Sequence, residues 1–156
     1  MSEITTKVDH AALKANQIVI ISLNVLAFVL NLSWLAAFVA AVMLAGAIVG
    51  KPFFGLALRK VIRYQPDVIT DNPEPHRFSQ GLGGIFMLGG ALALFSGASV
   101  LGWGLVWMVA ALAALNAFAG FCAGCFMYYW LGRLRVPGFA KQAPAGTVPG
   151  FRPKEG

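Results

Sequence analysis

The stretch ANQIVIISLNVLAFVLNLSWLAAFVAAVMLAGAIVG, Ala15 to Gly50, contains no Asp, Glu, Lys or Arg. One membrane-crossing helix needs about 20 apolar residues, so this stretch is long enough for two. The triplet Asn31–Leu32–Ser33 is the natural turn between them. It predicts a first span over Asn16–Leu32 and a second over Trp34–Gly50. Within lipid, backbone N–H and C=O groups must be satisfied inside the segment itself. The runs show no strand-like alternation, so helices are the expected solution.

A second uncharged window runs from Phe78 to Gly132. It predicts a third span over Ser79–Phe95, a turn at Ser96–Ser99, and a fourth span over Trp103–Leu131 that is long enough to tilt. Between the two windows, GKPFFGLALRKVIRY (Gly50–Tyr64) mixes Phe53, Phe54, Leu58, Val61 and Ile62 with Lys51, Arg59, Lys60 and Arg63. That pattern predicts a short amphipathic helix lying in the membrane interface. The fold class expected is therefore all-α. It is a polytopic membrane protein of four transmembrane helices in two hairpins, plus that interfacial helix. Composition agrees, with 58% hydrophobic and 12% charged residues, about half the charge of a soluble chain.

The expected organisation is a cytoplasmic N-terminal segment 1–15, a transmembrane domain 16–135 with a central cytoplasmic loop 51–78, and a tail 136–156. In the loop, QPDVITDNPEPHR carries three prolines and is not expected to continue a helix. The tail is rich in Pro and Gly and is expected to be disordered. Met1–Ala15 holds Glu3, Asp9 and His10 and has no apolar core ahead of a cleavage site, so the first apolar run is expected to be retained as a span.

Charge sets the orientation. All twelve Lys and Arg residues fall in the two terminal segments and the central loop, and the two short turns on the other side carry none. The positive-inside rule then places both termini and the loop in the cytoplasm. The net charge of +6 is accounted for by topology and anionic lipid, and no nucleic-acid partner is expected. Each apolar hairpin also ends in a Gly-and-aromatic stretch running into basic residues, which hints at an internal duplication with a two-fold axis along the membrane normal.

The chemistry-bearing stretch is GFCAGCFMYYW, Gly120–Trp130, which holds both cysteines of the chain, Cys122 and Cys125. Cys-x-x-Cys spacing suggests a redox dithiol or half a metal site. On a continuous helix, Gly120 and Gly124 share a small-residue face with Asn116 a turn away, suited to helix packing or self-association. Cys122 and Cys125 then fall on the opposite side. Residues three apart on a helix bring their Cα atoms within reach of a disulfide, although a reducing cytosol favours the dithiol. Arg133 and Arg135, if folded back, would favour a thiolate.

The competing reading is packing, because cysteine is small and apolar. A metal site would need His10 and His76 at the inner face as additional ligands. Spacing alone leaves packing ahead of the dithiol, and no metal and no cofactor are expected. Asn24 and Asn116 are expected to make interhelical hydrogen bonds. The loop acids Asp67, Asp71 and Glu74 are expected to be solvated. No carboxylate, Lys, Arg or His lies within a predicted span, which argues against ion-coupled transport.

Two stretches together resemble a known family. DNPEPHRFSQGLGGIF (Asp71–Phe86) and NAFAGFCAGCFMYYWLGRLR (Asn116–Arg135) are similar to the bacterial "domain of unknown function 4395" family of small integral membrane proteins. The resemblance covers about Asp9–Arg135. Its matching residues are Arg77, Phe78, Gln80, Gly81, Gly120, Cys122, Gly124 and Cys125. The resemblance implies association with thioredoxin-like or sulfurtransferase proteins and residence in the inner membrane, and hence a thiol-redox or sulfur-relay role for Cys122 and Cys125. The alternatives are a non-catalytic scaffold subunit of a membrane complex, or a small-solute permease.

Overall fold

The computed structural model describes residues 6–139 and 141–153. Among them are six helices and one two-stranded sheet, in the order β1 (Lys7–Asp9), α1 (His10–Val29), α2 (Ser33–Val49), α3 (Phe53–Val61), β2 (Val68–Thr70), α4 (Pro73–Phe95), α5 (Ser99–Ala119) and α6 (Ala123–Arg133). Helices α1, α4 and α5 are each long and apolar enough to cross a membrane. Helices α2 and α3 together reach the same test but are bent by 103° at the break between them. The chain thus has three to four helices of span length and composition, the build of a multi-pass membrane protein.

The bundle closes on small and aliphatic side chains. Ile20, Val39, Met43, Met87, Val106 and Val109 form its buried centre. Helix α4 is the middle element, and its glycines set how closely its neighbours approach. A Cβ on Gly84 would lie 3.2 Å from the Leu44 backbone of α2, and one on Gly90 would lie 3.1 Å from the Gly102 carbonyl of α5. Large apolar side chains such as Trp34, Ile48, Val100 and Phe118 point outward and are exposed, as expected where lipid rather than water is the solvent.

Each half of the chain follows one plan of strand, two-helix hairpin, left-handed glycine and short helix. Gly50 ends α2 at φ +78° and Gly120 ends α5 at φ +69°. Both lie in the region only glycine enters at little cost. Two residues later, Pro52 is the N-cap of α3 and Cys122 the N-cap of α6. The two leading strands pair antiparallel, Val8 opposite Ile69. The sequence hint of a duplication thus has a structural counterpart in which only the second half carries thiols.

Several expectations need correction. The fourth span does not run from Trp103 to Leu131. It breaks after Ala119, and α6 restarts at Ala123. Helix α1 starts at His10 rather than Asn16, because Asp9 caps it by accepting from the Ala11 and Ala12 amides. Helix α4 starts at Pro73, within the stretch read as loop. Pro73 and Pro75 are tolerated because first-turn N–H groups have no helical partner to lose. The described tail residues, 136–139 and 141–153, pack against the bundle, and the rest of the tail expected to be disordered lies outside the described residues. The Phe139 ring meets Phe78 and Tyr128, and Phe151 meets Phe121.

Candidate functional site

The site forms where four chain segments converge at one end of the bundle. His10 begins α1, Asp71 follows β2, and His76 and Ser79 lie in the first two turns of α4. Cys122 and Cys125 begin α6. The β1–β2 pairing holds His10 and Asp71 together, and it is completed by hydrogen bonds from the His10 amide to the Asp67 carbonyl (2.8 Å) and from the Asp71 amide to the Thr6 carbonyl (3.1 Å). All the described Lys and Arg side chains lie in segments at this same end.

Cys122 and Cys125 are joined by a disulfide, with Cα atoms 5.2 Å apart. The Cys125 amide donates to Cys122 Sγ at 3.2 Å, so the sulfur occupies the side-chain capping position of α6. Free N–H groups and the helix dipole make this end of a helix favourable for negative charge. Ser79 Oγ lies 3.2 Å from the same sulfur. His76 Nδ1 lies 3.5 Å from Cys125 Sγ. Both cysteines are buried, at 5% and 3% exposure.

Behind His76 stands a buried carboxylate. Asp71 Oδ2 contacts His76 Nε2 at 2.9 Å and His10 Nε2 at 3.1 Å, and its Oδ1 accepts from the Asn72 amide at 2.7 Å. Burial alone would raise the Asp71 carboxyl. The hydrogen bonds from His10 and His76, the nearby His76 charge and the Asn72 amide outweigh it and hold the group well below the ordinary carboxylate range. An ionised carboxylate only accepts, so both Nε2 atoms carry hydrogen. A neutral His76 therefore turns the lone pair of Nδ1 toward Cys125.

The tail encloses this cluster. The break between α5 and α6 leaves backbone groups without helical partners, and the tail supplies them. The Cys122 amide donates to the Gly150 carbonyl (2.7 Å) and the Arg152 amide to the Gly120 carbonyl (3.0 Å). Phe121 and Phe151 face each other in an antiparallel bridge, and Arg152 ion-pairs with Asp67. Asn72 Nδ2 donates to the Gln142 carbonyl at 2.8 Å. What remains between tail and bundle is a cavity of about 30 Å³, bordered by both cysteines, His10, His76, Asp71 and Tyr129. Desolvation, only partly offset by the Asn72 amide group, pushes the Tyr129 phenol up to about 12, so it borders the cavity as a neutral hydroxyl.

A family model described as "Domain of unknown function (DUF4395)" matches residues 8–133. The chain belongs to the DUF4395 family. No curated protein and no solved structure is detectably similar to it. The matched segment contains the disulfide, both histidines, Asp71 and Ser79. The tail strand that covers them lies beyond it.

The α4 residues singled out by the resemblance have distinct physical roles. Arg77 donates from Nε to the Ala47 carbonyl (3.1 Å) and from its terminal nitrogen to the Ile48 carbonyl (2.9 Å). It thereby satisfies the open C-terminus of α2. Gln80 reaches the Met43 carbonyl at 3.3 Å. Gly81 faces Ala47, where a Cβ would be 3.4 Å from that side chain. Phe78 packs on Tyr128 of α6. Ser79, among these residues, and His76, just before them, lie against the disulfide.

Other sequence readings are corrected. Gly120 and Gly124 do not share a helix face, because one ends α5 and the other is in the first turn of α6. Gly124 faces Ser79, where a Cβ would be 2.7 Å from the Ser79 Cα. Asn116 lies in the last turn of α5 and borders the cavity. Asn24 makes the interhelical hydrogen bond expected of it, donating from α1 to Met87 Sδ of α4 at 3.7 Å. Arg133 lies in the last turn of α6 and Arg135 beyond it, so neither stands at the thiols, and the helix start and His76 occupy that place. Asp71 is 4% exposed, not a solvated loop acid. Its burial had no signal in the local sequence, whereas the glycine two residues before Cys122 matches Gly50 before Pro52 and marks the helix restart.

Proposed function

We propose that this DUF4395 protein is a membrane thiol–disulfide exchange protein whose reactive pair is Cys122–Cys125, working at the basic, cytoplasmic face of a bacterial inner membrane. The observation that carries it is the disulfide at the N-terminus of α6 with the Asp71-held His76 beside Cys125. A partner bearing two thiols, of the thioredoxin-like kind, is the matching reactant. Its first thiol attacks Cys125 Sγ while giving its proton to His76 Nδ1, and the Cys122–Cys125 bond breaks. Cys122 leaves as a thiolate into the Cys125 amide and the Ser79 hydroxyl. The partner's second thiol then attacks the mixed disulfide. The partner departs oxidised, leaving two electrons on the Cys122 and Cys125 sulfurs and two protons shared among those sulfurs and His76. A reduced Cys122 thiolate could also take sulfane sulfur from a rhodanese-like persulfide and return a thiolate, which is the sulfur-relay form of the same chemistry.

The test is thiol trapping in native membranes, with acid quench, alkylation before and after reduction, and mass spectrometry of the Cys122/Cys125 peptide. A disulfide, persulfide or mixed-disulfide population supports the reading, and a Cys122→Ser protein should accumulate the mixed disulfide through Cys125. A fully reduced pair that stays reduced under mild oxidant would overturn it and leave the cysteines as packing residues.

A further inference from the structure

We propose that the reduced form of this site binds one divalent cation of the zinc class through Cys122 Sγ, Cys125 Sγ and His76 Nδ1, so that metal and disulfide exclude each other. This rests on the same two cysteines as the exchange reading but requires neither a partner nor turnover. The three ligand atoms lie within 4.8 Å of one another. Metal–sulfur bonds of about 2.3 Å and metal–nitrogen bonds of about 2.0 Å at tetrahedral angles place S and N about 3.5 Å apart. His76 Nδ1 and Cys125 Sγ are 3.5 Å apart already. The two sulfurs need only separate to about 3.8 Å. Cysteines with Cα atoms 5.2 Å apart achieve that by side-chain rotation.

The surroundings suit a metal as well as the distances do. Metal-bound histidines usually donate their other ring N–H to a carboxylate, which fixes the tautomer and raises ligand basicity. Asp71 does this to His76 and is itself buried and held ionised by His10 and the Asn72 amide. Two thiolates neutralise a divalent cation, and that is the charge state a buried site tolerates. With three protein ligands the fourth position is left to the cavity of about 30 Å³, which has room for a water-sized ligand. Binding releases two thiol protons. Conversion to the disulfide by a partner disulfide, which takes the two electrons and leaves as a dithiol, releases the metal, so a thiol or phosphine reductant is needed to reload the site.

The experiment uses the full chain in nanodiscs, reduced with a phosphine, stripped of metal under argon and titrated with Co²⁺. One Co²⁺ per chain should bind, with thiolate-to-cobalt charge-transfer bands in the near ultraviolet and intense tetrahedral bands in the visible. Zinc should displace it. Alkylation of Cys122 and Cys125 should slow by at least about tenfold when metal is bound. His76→Ala should weaken binding about 10- to 100-fold, and so should Asp71→Asn through His76. The disulfide form should bind no Co²⁺ with thiolate bands. Reduced wild type without those bands, or with the same binding before and after oxidation, overturns the inference without reliance on any variant. Disulfide exchange measured in chelator is independent of this result, so loss of the metal site alone leaves the exchange reading standing.

Discussion

His76 Nδ1 lies 3.5 Å from Cys125 Sγ although 49 residues separate them. The contact joins the first turns of two helices, α4 and α6, that have no reason to meet unless the fourth apolar segment breaks. The break at Gly120 turns Cys-x-x-Cys from a helix-face pattern into a helix-start pattern. A histidine that takes and returns protons typically contributes 10²–10⁴-fold. His76→Ala should therefore slow reduction of the disulfide by a small dithiol by at least about tenfold, with the fold intact by circular dichroism. An unchanged rate would remove His76 from the chemistry.

Asp71 supplies a pH dependence whose sign follows from its environment. Its folded carboxyl is held below the ordinary value of 3.8. A depressed acid group adds stability that is fully present above the unfolded value and is lost as pH falls through the folded one. The stability gap between wild type and Asp71→Asn should thus be constant from neutral pH down to about 5 and shrink below about 4. Thermal unfolding in detergent across that range measures it. A gap that grows toward low pH would contradict the buried, ionised assignment.

The bundle was legible in the sequence because lipid imposes a simple rule. Uncharged windows of sufficient length must be helical, and α1, α2, α4 and α5 fall inside or overlap the predicted spans. The site was legible only in part. Spacing singles out Cys122 and Cys125 as candidates, and the resemblance singles out Arg77, Phe78, Gln80 and Gly81. His10 and His76 were noticed only as residues that could complete a metal site. Asp71 and Ser79 were not found, because a buried acid between two histidines is a product of strand pairing between residues far apart in the chain. The break at Gly120 was obscured because Gly120 and Gly124 also fit a small-residue packing motif, and both readings use the same letters.

Gly124 and Gly120 give a test of that break. A Cβ on Gly124 would lie 2.7 Å from the Ser79 backbone, whereas one on Gly120 finds nothing closer than 3.9 Å but must adopt φ +69°. Gly124→Ala should cost about 1–3 kcal/mol by overpacking α6 against α4. Gly120→Ala should cost about 1–2 kcal/mol by backbone strain alone. The two differ in a second readout. Only Gly124→Ala should also alter exchange at the disulfide, since it displaces Ser79 from Cys122. Equal behaviour in both readouts would restore the single continuous helix.

The tail strand makes the last prediction. Gly150 and Arg152 pair with the backbone on either side of Phe121, and residues 143, 144, 147 and 148 complete the cavity wall. Attack on a disulfide requires access as well as a good leaving group. With both sulfurs buried beneath the tail, displacing that segment is the direct way to expose them to a protein thiol. Deleting residues 143–156 should speed reduction of Cys122–Cys125 by a bulk thiol by about tenfold or more. It should also lower thermal stability, because the Cys122 amide and the Gly120 carbonyl lose their partners at a cost of about 1–3 kcal/mol each where water cannot replace them. Arg152→Ala removes only the ion pair to Asp67 at an exposed position and should shift either quantity little. A truncated chain reduced no faster than the full one would show that access to the sulfurs is gained by another route.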